Sequence, residues 1–303
     1  MINLNLISQP WSDYELLDSG ANRKLERYGK FIVARPETQA LWKPSRPELW
    51  KQAAAEFKWN EGRGAWLKKK GLPAAWPMSW QDAAFSIRLT SFKHTGIFPE
   101  QAENWKWLSS AMPGLTRHPE ILDSGLVAGM TKKRVLNLFG YTGIASIVAA
   151  KAGAQVVHVD ASKQSNEWAK ENARRSGVPE DSIHFLLDDA LKFAEREVRR
   201  GSKYDGIILD PPAFGRGPKG EVWHIEEHLP RLLEALAKLL DNKPGSFFLL
   251  NGYAAGYSPQ SFLQAAESRF NLNHARGEYG ELSIGESSGR ILPQGIYVRF
   301  CYN

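Results

Sequence analysis

From Arg134 onward the chain alternates between short apolar runs and longer amphipathic ones, and this alternation restricts the fold more than any other feature. RVLNLF predicts a short buried strand, IASIVAAKAG a helix ending on Gly153, and QVVHVD a second strand. Ser162 stands at an N-cap, and the helix it opens runs through Ser176 to a stop at Gly177 and Pro179. IHFLL, ALKFAEREVRR, YDGIILD, PRLLEALAKLL and SFFLLN continue the pattern, and Ser258 with Pro259 opens one more helix. The alternating GIYVRFCY predicts a terminal strand antiparallel to its neighbours. The expected class is therefore α/β: a doubly wound, mostly parallel, seven-stranded sheet with helices on both faces.

The first third reads differently. YELLDSG, RKLERYGKFIVARP and FSIRLTSF are strand-like runs separated by Gly and Pro, and the stretch Pro47 to Phe57 has the spacing of an amphipathic helix. This predicts a smaller β-rich or α+β domain over residues 1–95, followed by the sheet-and-helix domain over 96–303. Residues 1–95 hold 15 Lys and Arg against 9 Asp and Glu, whereas the remainder holds 24 of each, so the whole +6 charge lies in the first third. Seven of the eleven tryptophans are there too, beside Lys68, Lys69 and Lys70. Basic charge interleaved with flat rings suits a polyanion carrying bases, namely nucleic acid; a small core filled by bulky residues with a solvated basic face is the competing reading. Met1 to Pro10 has no leader pattern and no window approaches the ~20 apolar residues of a membrane span, so a cytoplasmic location is expected. A single cysteine, Cys301, excludes an internal disulfide.

In a doubly wound sheet, ligands bind beyond the carboxyl ends of the strands. Here the first strand runs into Gly140, Tyr141, Thr142 and Gly143, a turn that lets backbone approach a ligand closely. The second ends at Asp160, 17 residues past Gly143, where a carboxylate can accept from both hydroxyls of a ribose. The third leads to Asp188 and Asp189, the fourth to Asp210 and the fifth to Asn251. A dinucleotide site calls for GxGxxG around a pyrophosphate, but NLFGYTGIA has only GxxG. An adenosine ligand without phosphate needs less of a cradle, and acids at Asp160, Asp189 and Asp210 suit the cationic sulfonium of S-adenosylmethionine. The plainer alternative is that each acid caps the helix that follows it.

NLFGYTG, VDAS, ENARRSG and LDPPAF resemble the class I methyltransferases related to bacterial large-subunit rRNA cytosine methyltransferases, over roughly Gly96 to the C-terminus. The resemblance implies that Asn137, Phe139, Gly140, Tyr141, Thr142 and Gly143 line the methionine end of S-adenosyl-L-methionine. It also implies that Asp160 holds the ribose, Asp189 faces the adenine amine and Asp210 sits beside the transferred methyl. GIFPEQAENW is similar to the family segment that touches the cofactor, which implies roles for Phe98 and Gln101; the family's arginine after that glutamine is replaced by Ala102.

Methyl transfer is an in-line displacement, so alignment is the protein's main task and contributes on the order of 7–11 kcal/mol. The corner Asp210–Phe214 suits it. Two prolines fix φ and remove two N–H donors, so the Asp210 carboxylate and the Pro211 carbonyl can accept from a base amine while Phe214 stacks on the base. The corner resembles the D/N-P-P-aromatic motif of amino-methyltransferases with the aromatic one place late, after Ala213. Methylating C5 of a pyrimidine requires a covalent nucleophile at C6, and neither DPPAF nor NGYAAGYS contains a cysteine. Transfer to a base nitrogen is therefore expected. Arg216 and Lys219 in GRGPKGEVW read as a mobile lid or as an ordinary surface loop. His224-Ile-Glu-Glu-His228 matches a zinc-protease spacing, but Pro230 predicts a helix starting near Leu229, which separates the histidines; no metal is expected. The expected function is methylation of RNA, specifically rRNA. A nicotinamide-dependent oxidoreductase and an RNA-binding protein with a degenerate pocket are the alternatives.

Overall fold

The computed structural model describes residues 1–60, 63–112, 132–253 and 256–303; Ala254 and Ala255 of NGYAAGYS lie outside them. It divides into two compact units, one of Met1–Asn5, Asn104–Glu281 and Gly295–Asn303, the other of Leu6–Glu103 and Leu282–Gln294. A single cut after residue 95 does not describe this division. Leu282–Gln294 belongs with the N-terminal residues because Leu282 pairs with Leu6 and Arg290 bonds the buried Asp18 at 2.5 Å.

The larger unit has the predicted alternation: β1 (Arg134–Leu138), α1 (Ile144–Lys151), β2 (Gln155–Asp160), α2 (Lys163–Arg175), β3 (Ile183–Leu187), α3 (Ala190–Arg199), β4 (Gly206–Leu209), α4 (Ile225–Leu239), β5 (Phe247–Gly252), α5 (Pro259–Glu267), β6 (Ala275–Gly285) and β7 (Ile291–Tyr302). The unit boundaries fall within β6 and β7. The strand order is β3-β2-β1-β4-β5-β7-β6. The first five run parallel, and β7 lies antiparallel to β5. Two short strands bring the sheet to nine rather than the seven expected: Ile2–Asn3 and Leu6–Ser8 both pair with β6. All four residues of β4 are buried, because a strand covered on both faces has no solvent side to alternate toward. The core is continuous from Leu136 and Leu209 through Leu232 and Leu236 to Phe248 and Phe300.

Helix ends follow their caps. Ser162 accepts from Ser165 N and closes the start of α2; Ser258 and Ser261 form a capping box on α5. Two expectations fail. Helix α4 begins at Ile225, four residues before Leu229, and holds Pro230 in its interior. The stretch Pro47–Phe57 is no helix: a short 3₁₀ turn, Leu49–Gln52, leads into the strand Ala55–Asn60. Antiparallel pairing with Arg63–Lys68 satisfies backbone groups that an isolated amphipathic turn would leave to water.

The smaller unit holds a five-stranded sheet (Tyr14–Gly20, Arg23–Tyr28, Phe31–Pro36, Ala55–Asn60, Arg63–Lys68) and the hairpin Ala75–Trp80/Ala83–Arg88. At its centre Glu26 is fully buried, bonded by Arg35, Tyr14 and Tyr28. Burial alone would raise the Glu26 pKa, but the charges of Arg35 and Lys24 hold it at about 2.

Candidate active site

Three loops meet at the carboxyl ends of β1, β2 and β4. After β1 the backbone turns through Phe139 at φ 56° and Tyr141 at φ 49°, a left-handed conformation on both sides of Gly140. Such residues cost about 1–3 kcal/mol each and persist only where their surroundings enforce them. Enforcement comes from three directions. Gly140 N donates to Val159 O at 3.1 Å, Tyr141 N donates to Asp160 Oδ2 at 2.8 Å, and Asn172 Nδ2 donates to the Thr142 carbonyl at 2.9 Å. Asp160 Oδ1 also accepts from Ser162 N at 2.8 Å, so one carboxylate ties the first loop to the second. Burial raises its pKa.

Beneath the turn lies a buried polar chain that joins the expected Asn137 to two residues the sequence did not point to, Ser146 and His158. Asn137 Nδ2 donates to Ser146 Oγ at 2.8 Å, and Ser146 Oγ lies 2.9 Å from His158 Nδ1. The Ser146 hydroxyl thus joins the Asn137 amide to the His158 ring, and burial pushes the imidazole pKa down to about 3. Gly140 rests on that ring: a Cβ added there would lie 2.4 Å from Cε1. Gly143, at φ 83°, packs on Ala169, whose Cβ would lie 2.9 Å from an added one.

At the end of β4, Asp210 N donates to Leu138 O at 3.4 Å, setting the acid beside the first loop. Pro211 is buried and Pro212 exposed. The Pro212 carbonyl accepts from Trp223 Nε1 at 2.7 Å and the Ala213 carbonyl from Ile225 N at 3.0 Å. Among the described residues no donor reaches the Pro211 carbonyl, so of the corner's carbonyls that one is open. Trp223 also packs edge-on against Phe139 at 4.9 Å. This buried residue thereby couples the β1 loop to the Asp-Pro corner, a role that only its position opposite Gly215 in the hairpin reveals. Phe214 is 54% exposed and meets His224 edge-on at 5.2 Å.

GRGPKGEVW, read as a lid or a loop, forms the hairpin Phe214–Arg216/Val222–His224, braced by Glu221 Oε1 on Lys192 Nζ at 2.8 Å. Asp189 caps α3, its Oδ1 accepting from Lys192 N at 2.9 Å; Asp188 pairs with Arg196 at 2.5 Å. Asn251 points into structure: its Oδ1 accepts from Asn104 Nδ2 at 2.9 Å, and Asn104 Oδ1 accepts from Arg299 at 3.0 Å. Phe98 and Gln101 belong to the smaller unit: Phe98 precedes the 3₁₀ turn Pro99–Gln101 and Gln101 ends it, with Gln101 N donating to Phe98 O. His228 lies in the first turns of α4, and its Nδ1 sits 2.9 Å from the His224 carbonyl oxygen. Among the described residues there is no group of three or more side chains able to hold a metal ion.

Residues 126–268 match the model of the S-adenosylmethionine-dependent methyltransferases. The ribosomal RNA large subunit methyltransferase I of Aeromonas salmonicida is 42% identical over 172 residues, 55% of this chain and 42% of that protein. The ribosomal RNA large subunit methyltransferase K/L of Shewanella frigidimarina is 29% identical over 194 residues, 63% of this chain and 24% of that protein. The chain thus spans less than half the length of these curated relatives. The crystal structure of the SAM-dependent methyltransferase from Agrobacterium tumefaciens is 39% identical, covers 99% of this chain and 94% of that one, and superimposes with a TM-score of 0.88. A likeness of that extent, carried by the same sheet whose strand ends hold the strained turn and the Asp-Pro corner, means that the chain belongs to the S-adenosylmethionine-dependent methyltransferase family.

Proposed function

We propose that the chain methylates a base nitrogen of RNA, with rRNA as the substrate class, and that residues 1–95 contribute RNA binding. S-adenosyl-L-methionine, the donor of the family, supplies an electrophilic methyl group. The chain's own residues fit it. The turn Phe139–Gly143 carries no lysine or arginine, so nothing there repels a sulfonium. Asn137, Phe139, Gly140, Tyr141, Thr142 and Gly143 would hold the methionine end. Asp160 has spent one lone pair of each oxygen on backbone N–H groups, leaving two for ribose hydroxyls. Asp189 would face the adenine; the roles of Phe98 and Gln101 rest on the family resemblance alone. Asp210 and Pro211 would accept from the base amine, orient its lone pair and hold the departing proton, while Phe214 covers the base. A cytoplasmic place of action follows from an rRNA substrate; no helix among the described residues is long and apolar enough to cross a membrane.

One observation carries nitrogen over carbon. The only cysteine of the chain, Cys301, pairs with Phe247, and Phe247 with Gly206, the first residue of β4. It is therefore level with the amino end of β4, two strands away and offset from Asp210 by four residues or about 13 Å along the strand direction, and burial raises its thiol pKa. A C5-pyrimidine mechanism needs a thiolate at the opposite edge. The test is transfer of labelled methyl to total RNA followed by nucleoside analysis: label on a base nitrogen is expected, and label on pyrimidine C5 refutes the proposal. The printed names of the relatives above support RNA as acceptor, and the family gives no support to an oxidoreductase.

A further inference from the structure

The seven tryptophans of the smaller unit divide sharply once placed. Trp76 and Trp80 are core. The indoles of Trp11, Trp42, Trp50, Trp66 and Trp76 donate to Ser79 O, Ser19 O, Asp18 Oδ2, Phe92 O and Tyr28 O. Trp59 stands apart, at 63% exposure.

Its setting is specific. Antiparallel register places Phe57 opposite Trp66, Trp59 opposite Gly64, and Ala55 opposite Lys68. Paired residues share a face, so Ala55, Phe57, Trp59, Gly64, Trp66 and Lys68 lie on one side of this hairpin. Phe57 is buried and meets Trp59 and Trp66 edge-on at 5.4 and 5.3 Å, which fixes the Trp59 ring from one side. Gly64 places no side chain over it; the space above Gly64 is taken by the Phe57 ring, 2.2 Å from a Cβ built there. Phe92, 67% exposed, supplies a second open ring beside Trp66, which bonds its carbonyl. Lys68 lies four register positions along the same face, about 13 Å from Trp59, its Nζ donating to Leu89 O at 3.3 Å; the exposed Lys69, whose Nζ donates to Lys51 O at 2.9 Å, and Lys70 follow, and each ammonium keeps further N–H donors for phosphate oxygens.

We propose that this hairpin face is a stacking platform for single-stranded RNA, with a base on Trp59 and the phosphate chain running toward Lys68, Lys69 and Lys70. The inference rests on the RNA reading above. A supported, open indole at one end and a lysine run at the other match a base followed by its backbone. A duplex hides its base faces, and an acidic peptide that could pair with the lysines has no planar base to lay on the indole, so single-stranded RNA is the occupant that uses both features.

The test is anisotropy of a fluorescent oligouridine RNA, and of an RNA duplex of equal length, with the full chain. Trp59→Ala weakens the single strand about tenfold, within the range for one stacked base, while Trp59→Phe retains most of the affinity. Lys69→Glu/Lys70→Glu weakens binding and lowers its salt dependence. All variants keep the wild-type Tm and affinity for S-adenosylhomocysteine. Unchanged affinity in Trp59→Ala, or tighter binding of duplex, overturns the platform; if wild-type protein then still labels RNA, the proposed function stands without it. Absence of RNA labelling by wild type, with oligouridine bound through Trp59, overturns the function and leaves the platform.

Discussion

Gly140 lies on the imidazole of His158, close enough that a Cβ would fall 2.4 Å from its Cε1. The loop after β1 and the second strand of the sheet are thus in contact where neither can give way: the ring is held by Ser146 and fully buried, and the loop carries left-handed residues on both sides of Gly140.

Gly140→Ala should therefore cost about 1–3 kcal/mol of stability by overpacking and, on the proposed placement of the methionine end, weaken S-adenosylhomocysteine at least about tenfold, since a shift of a few tenths of an ångström displaces the backbone proposed to hold it. Urea unfolding and titration calorimetry measure the two effects. Adding His158→Ser to Gly140→Ala should restore part of the stability; no restoration would mean that the clash lies elsewhere.

His158 also sets a pH dependence. Burial pushes its pKa down to about 3, against roughly 6.5 in the unfolded chain. Between those values the unfolded state binds the extra proton, so stability falls as pH falls, by roughly 1 kcal/mol per pH unit, and levels off below about pH 3. His94 in the smaller unit, also pushed to about 3 by burial, adds a parallel loss. In unfolding curves across this range His158→Gln should show a shallower slope than wild type; an identical slope would mean that the native imidazole is protonated.

Asp210→Asn and Asp210→Ala should lower kcat for label transfer by roughly 10²-fold or more while leaving S-adenosylhomocysteine affinity nearly unchanged. Asn keeps the shape and loses the charge, so parity between Asn and wild type would remove the carboxylate from the mechanism.

Cys301→Ala should methylate RNA at the wild-type rate. Loss of turnover with intact cofactor binding would show that a covalent thiolate route operates despite the position of Cys301 beside Phe247.

The sequence by itself determined the sheet-and-helix alternation, the caps at Ser162 and Ser258, and the acids following the strands, because each is written in neighbouring residues: period, cap and breaker are local physics. The strand-end acids were legible as a row but not in their duties. Asp160 bonds both loops, Asp189 caps a helix, and Asn251 is held by Asn104, more than a hundred residues away. Only tertiary structure decided these, together with the Trp223 bridge from Phe139 to Pro212 and the level of Cys301. Each depends on which strand lies beside which and in what register. Pro47–Phe57 failed for the same reason: its helical spacing was real, but a partner strand nearby in sequence offered its backbone complete pairing, and pairing outweighs local preference.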